Sequence, residues 1–346
     1  MPSAIDRRQF LWAALTVRAA AAGRTRAAPV LDKGFAQVNR YAEGVWVTIA
    51  DPQKGMQCLS NGGVIFGRDA ALIVEGHYQP EGAALELAAA QAATKAPVIA
   101  AIDTHYHLDH TFGNIAYADR HIPIMAHEGA PGLMKERYAA LKGVDKAPML
   151  TPLQQRAAHA AGPEEKRRLE SDLEFAQWMY SSIDSATLAY PTQLVAAQDP
   201  PKAIDLGGLT AVIEPYHGHT PADLLIRIPQ RDLVFTGDLL FYHAYPVAFD
   251  ADMIRWRKIL DVFAGYGRQI RFVPGHGPVC GQETVRDQIN IFDDLRAHAE
   301  KMRHAGVPVE IAEQHYRVPK AYRRFDTSAW HYCVGSALLS YYAGSG

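Results

Sequence analysis

The densest chemistry in this 346-residue chain lies in Asp103-Thr104-His105-Tyr106-His107-Leu108-Asp109-His110. His105 and His107 alternate, so an extended segment turns both imidazoles to one side, and Asp109 and His110 follow at once. Imidazole and carboxylate together are the donors that a borderline divalent ion such as Zn²⁺ accepts. Three more segments join His or Asp to glycine: His217-Gly218-His219-Thr220, Thr236-Gly237-Asp238 and Pro274-Gly275-His276-Gly277. Each follows an apolar, strand-like run, and glycine there lets the backbone turn sharply beside a bound ion. A lone Gly-His turn is more often only a turn; all of these segments in this order point to a metal centre. The Gly-x-Ser-x-Gly elbow of serine hydrolases is absent. Cys58, Cys280 and Cys333 are too scattered and odd in number to frame disulfides or a zinc ribbon.

The elements that must carry these residues can be read from hydrophobic pattern. Residues 45–49, 64–66, 70–74 and 98–102 read as strands, with a helix at 81–94 stopped by Pro97. The run 98–102 is continuously apolar, as a strand buried on both faces should be. Strands follow again at 209–213, 224–228, 233–236 and 270–273, with helices at 251–263 and 282–303. This order implies packed α/β layers in one domain over residues 35–310. Residues 128–201 are charged, Ala-rich and nearly free of strand signals, which predicts a helical insertion. Leu169, Leu173, Ala176 and Tyr180 fall on one face of a helix within it. Residues 311–346 form an aromatic-rich C-terminal extension, including Tyr316, Trp330 and Tyr341, expected in core packing or a subunit contact.

Composition narrows the partners. With 35 Lys+Arg against 37 Asp+Glu, the formal charge of −2 argues against nucleic acid. No apolar run approaches the eighteen residues of a membrane-spanning helix. Residues 1–28 resemble a twin-arginine signal peptide: Arg7-Arg8-Gln9-Phe10-Leu11 precedes an Ala-rich run to Ala22. Asp6 stands where Ser or Thr is usual, and Arg18 interrupts the apolar segment. The expected location is the periplasm; a basic tail on a cytoplasmic protein is the alternative.

Taken together, the His/Asp segments closely resemble the metallo-β-lactamase-fold superfamily, in particular its glyoxalase II-like members. The resemblance spans roughly residues 40–305 apart from the insertion, and implies an αββα four-layer sandwich with the metal site along one edge. Carried over by position, His105, His107 and His219 resemble the ligands of a first metal. Asp109, His110 and His276 resemble those of a second, and Asp238 the carboxylate bridging both. Two Zn²⁺ ions, with Fe or Mn as alternatives, are what this set implies. His217 is assigned to the pocket wall or second shell, together with Thr220 and His243. Cys280 reads as a small buried apolar residue.

Two ions about 3.5–4 Å apart deprotonate a water and polarise a carbonyl. The expected reaction is hydrolysis of a small ester, lactone, lactam or thioester by metal-bound hydroxide, with Asp109 as the catalytic carboxylate that orients it and shuttles its proton. True β-lactamases of this fold usually carry Cys or Ser where Asp238 stands, which makes that activity the lesser expectation. A mononuclear-iron sulfur (persulfide) dioxygenase using only His105, His107 and His219 is the alternative from another class. A metal-stabilised binding protein without turnover is the third.

Overall fold

The computed structural model describes residues 28–160, 162–326 and 331–344. The arginine pair read as an export signal and Trp330 lie outside the described residues. The chain first builds an eight-stranded sheet in sequential order. Its strands are β1 (Leu31–Asp32), β2 (Ala36–Ala42), β3 (Val45–Ala50), β4 (Gly62–Phe66), β5 (Ala71–Val74), β6 (Val98–Ile102), β7 (Ile124–His127) and β8 (Gln193–Val195). The first five run antiparallel as hairpins. From β5 onward the pairing is parallel, which requires crossovers. One is α1 (Pro80–Ala93); another carries the short helices α2 (Leu108–Thr111) and α3 (Ile115–Ala118).

The second sheet holds β9 (Lys202–Asp205), β10 (Thr210–Tyr216), β11 (Asp223–Ile228), β12 (Leu233–Gly237) and β13 (Arg271–Pro274), ordered β13-β12-β11-β10-β9. Only β12 and β13 pair in parallel, across the helix α7 (Met253–Ala264). The alternating side chains of β11 show how the layers stack. Leu224, Ile226 and Ile228 pack inward against Val45, Ile65, Leu72 and Ile102 of the first sheet. Leu225 points outward to Trp256, Phe263 and Phe292. α1 covers the opposite face of the first sheet through Ala83, Leu87 and Ala90 on Val64 and Ile73. Helix, sheet, sheet, helix is therefore the layering, as the sequence resemblance implied.

Three helices follow β7: α4 (Ala130–Arg137), α5 (Ala147–Ala158) and α6 (Pro163–Ser185). Leu169, Ala176 and Tyr180 are buried there in a cluster with Tyr106, Leu108 and Tyr138, and Leu173 packs at its edge. The stretch read as nearly free of strand signals ends in β8, which pairs with β7. Three residues carry too little periodicity to announce a strand, and the pairing comes from the neighbour. The outer layer on the second sheet is completed by α8 (Gln282–His304), α9 (Val309–His315) and α10 (Ser336–Ala343). Tyr316, Phe325, Leu338 and Tyr341 of the C-terminal segment are buried in the same cluster as Trp256 and Phe292. No helix among the described residues is long and apolar enough to cross a membrane.

Candidate metal centre

β6, β10, β12 and β13 all end at one edge of the sandwich, and the segments carrying the His and Asp residues begin there. β6 runs into the extended stretch holding His105 and His107, and α2 then presents Asp109 and His110. His219 follows β10, Asp238 follows β12 and His276 follows β13. Two groups of donor atoms result. His105, His107, His219 and Asp238 form one, and Asp109, His110 and His276 the other.

In the first group His107 Nδ1 lies 3.0 Å from His105 Nε2 and 3.2 Å from His219 Nε2. The three rings meet edge to face, at interplanar angles of 76–88°. Donors at about 2.1 Å around a tetrahedral ion are separated by about 3.4 Å, so the spacing fits a shared cation. In the second group Asp109 Oδ2 lies 3.4 Å from His110 Nε2 and 3.3 Å from His276 Nε2. Asp238 stands between the two. Its Oδ2 is 3.6 Å from His219 Nε2, while its Oδ1 is 3.6 Å from His110 Nε2 and 3.3 Å from His276 Nε2. His110 Nε2, His276 Nε2 and Asp238 Oδ1 are buried without a hydrogen-bond partner among the described residues. Buried polar atoms left unpaired cost free energy, and one cation at their meeting point satisfies all three. The donor set therefore fits divalent metal.

The family model described as the metallo-beta-lactamase superfamily matches residues 55–252, a span that takes in most of this edge. The chain belongs to the metallo-β-lactamase superfamily. Members of that superfamily include metal-dependent hydrolases. Solved structures of the fold agree. A metallo-beta-lactamase from Pontibacter korlensis is 17% identical, with TM-score 0.52 over 75% of this chain and 99% of its own. One from Hirschia baltica is 17% identical, with TM-score 0.51 over 74% and 97%. The sec-alkylsulfatase Pisa1 from Pseudomonas sp. is 16% identical, with TM-score 0.60 over 90% of this chain and 50% of its own. An uncharacterised protein of Mycobacterium tuberculosis is 31% identical over 103 residues, 28% of this chain. The match spans 46% of that relative's length.

In this superfamily member the second nitrogen of His105, His219 and His276 is hydrogen-bonded to a protein oxygen, which selects the tautomer and orients the ring, while that of His107 and His110 faces a carboxylate. His105 Nδ1 meets Thr104 Oγ1 at 3.2 Å, His219 Nδ1 the Val247 carbonyl at 3.1 Å, and His276 Nδ1 the Leu59 carbonyl at 3.0 Å. His110 Nδ1 lies 3.1 Å from Glu75 Oε1, and His107 Nε2 lies 3.6 Å from Asp250 Oδ2. Glu75 also accepts from the Thr104 amide at 3.3 Å. It does so from a left-handed backbone (φ 76), an unfavourable conformation for a side chain with Cβ. Two hydrogen bonds hold it there: its amide donates to the Ile102 carbonyl at 2.9 Å, and Tyr117 OH donates to its carbonyl at 2.7 Å. Gly275 is required at its position, because a Cβ would collide with Asp238 Oδ1.

Burial and mutual repulsion push the proton off His105 and His219, and His219 falls to about 3. Burial also opposes the charge on His276, yet Asp238 and Asp109 lift it to about 10. His110 is raised in the same way by Glu75, Asp109 and Asp238. The carboxylates respond in kind: despite burial, His276 and His110 hold Asp238 at about 2 and Asp109 well below its usual range.

All seven residues picked from the sequence as ligands are thus brought to one edge. Thr220 stands behind His219 in the turn: Asp223 accepts from its hydroxyl and amide and from the Gly218 amide, bracing His219. His217 accepts from Arg255 Nη1 at 3.2 Å. His243 sits between the rings of Tyr242 and Phe325, at 4.0 and 4.8 Å, and joins neither donor group. Sequence reasoning passed over Glu75, Asp223 and Asp250. Thr220-x-x-Asp223 carried a turn signature that could have been read; Glu75 and Asp250 carried none.

Proposed function

We propose that this chain is a dinuclear metallohydrolase with a glyoxalase II-like ligand set, acting on the carbonyl of a small ester, lactone, lactam or thioester. Asp238 carries the reading, because its two oxygens are divided between the two donor groups, as a bridging ligand's would be. His105 Nε2, His107 Nδ1 and His219 Nε2 would hold the first ion. Asp109, His110 and His276 would hold the second. Zinc suits these nitrogen and carboxylate donors, and iron or manganese is compatible with them. Bound metal supplies a water of lowered pKa and a Lewis acid for the carbonyl oxygen.

The protein's own part is orientation and proton handling. Asp109 would orient the attacking water and pass its proton to the leaving group. Phe249 stacks over His107 at 4.9 Å and Phe241 lies over His276 at 6.1 Å, giving apolar walls that exclude water. The Arg7-Arg8 segment supports export to the periplasm through the twin-arginine route. Lysine at both positions should then abolish export, as fractionation would show.

Elemental analysis of chain expressed from residue 29 tests the reading directly. About two ions per chain, with turnover on a panel of lactones, thioesters and β-lactams, is the expected result. A single iron that survives dialysis, with oxygen uptake on persulfide, would favour the dioxygenase instead. Absence of metal from several growth media would sink both.

A further inference from the structure

The turn that delivers His219 to the first donor group also delivers His217 to the wall of a second cavity. This cavity measures about 280 Å³, and His127, Tyr216, His217, Arg255 and Lys258 line it. His127 ends β7, the parallel neighbour of the strand leading to His105, so the cavity lies one strand along from the metal centre.

Hydrogen bonding settles what its imidazoles offer. The Gly129 amide donates to His127 Nδ1 at 3.1 Å, and Arg255 Nη1 donates to His217 Nδ1 at 3.2 Å. An amide and a guanidinium can only donate, so both rings are Nε2–H tautomers. Neither Nε2–H finds an acceptor among the described residues, and neither is shut away from solvent. Tyr216 gives its hydroxyl proton to Glu214 at 3.2 Å. Asp252 holds Arg255 Nε at 3.2 Å but stands outside the wall. Lys258 has no carboxylate partner among the described residues, and none of the described lining residues is acidic. Two unmatched N–H donors, an ammonium and a guanidinium around one cavity complement an oxyanion.

We propose that this cavity is a subsite for an oxyanion, the carboxylate, phosphate or sulfate group of a ligand. That the oxyanion belongs to the substrate rests on the hydrolase reading; binding itself does not.

The zinc-loaded full chain titrated with inorganic phosphate tests this, read by long-range proton–nitrogen NMR of the histidine rings. The His127 and His217 signals should show the Nε2–H tautomer and shift saturably. Lys258→Ala and Arg255→Ala change exposed side chains and should each weaken that binding about tenfold. Rings that do not move, or a phosphate affinity untouched by both variants, would overturn the proposal. The source is decided by comparing an anionic ester with a neutral one of equal acyl size. If the oxyanion is the substrate's, kcat/KM favours the anionic ester about tenfold and Lys258→Ala removes the preference. Saturable phosphate binding without that preference assigns the subsite to a free anion. Because NMR needs no turnover, failure of the hydrolase reading would leave the binding result intact.

Discussion

His219 and His276 lie 3.6 and 3.3 Å from opposite oxygens of Asp238, yet hold their protons at opposite ends of the pH scale. At neutral pH His219, at about 3, and His105, also depressed, need no deprotonation before taking up metal. In the second group His276, at about 10, and the raised His110 must each give up a proton. Calorimetry in buffers of differing ionisation enthalpy should therefore find more protons released by the ion taken up at the second group than by the one at the first. The affinity of the second should fall about tenfold per pH unit below 10 through His276, with His110 adding to the fall, and more steeply than that of the first. Asp250 makes a second test. Its carboxylate faces His107, while Tyr106 OH and Arg137 Nη2 hold it in place. Asp250→Asn should cost about 10–100-fold in first-site affinity, measured by competition with a chelator.

At the scale of elements, the helices after β7 reach back to the metal centre. Arg137 of α4 pairs with Asp250 at 3.1 Å, and Asp250 in turn faces His107. Trp178 of α6 stacks on Tyr78 at 4.7 Å, while fully buried Met179 fills the cluster beneath. Met179→Ala should remove about 2–5 kcal/mol from this packing. Hydrogen exchange should then quicken in α5 and α6, with the amides of β5 and β6 unchanged. On the other flank, the loop after β3 clamps two candidate ligands. The Leu59 carbonyl faces His276, Ser60 Oγ donates to the Asp109 carbonyl at 2.8 Å, and Asn61 Nδ2 donates to the Pro274 carbonyl at 2.9 Å. Behind it, fully buried His77 contacts Cys58 Sγ at 3.0 Å and Glu86 Oε1 at 3.0 Å. The loop is held from within the core.

Across the whole molecule, the aromatic C-terminal segment belongs to the outer layer and fastens the loop behind the site. Cys333 Sγ donates to the Tyr245 carbonyl at 2.9 Å, and Ser340 Oγ donates to the Ala251 carbonyl at 3.1 Å. Between those anchors lie Val247, which orients His219, and Phe249 and Asp250, which meet His107. Leu338 is fully buried among Trp256, Phe292 and Tyr341. Truncating it to alanine should lower the urea unfolding free energy by about 2–5 kcal/mol. Because the packing is continuous with the second sheet, that loss should appear as an earlier global transition.

The amino-acid sequence by itself determined the donor types, their order and the strands that precede them. His105-x-His107-x-Asp109-His110 is dense enough to stand out locally, and Gly218, Gly237 and Gly275 mark the sharp turns. The long apolar strands and α8 were legible for the same reason: their periodicity is local. β1, β2, β7, β8 and β9 were not: polar residues break the apolar run in β2, β8 and β9, and the pairing is supplied by a neighbouring strand. Tertiary structure alone decided which oxygen of Asp238 faces which histidines, and which carboxylate stands behind each ring. Glu75 precedes His110 by thirty-five positions and Asp250 follows His107 by many more, so no local spacing could pair them. Only the closing of two sheets brings those atoms to one edge, where burial and neighbouring charges together set their protonation.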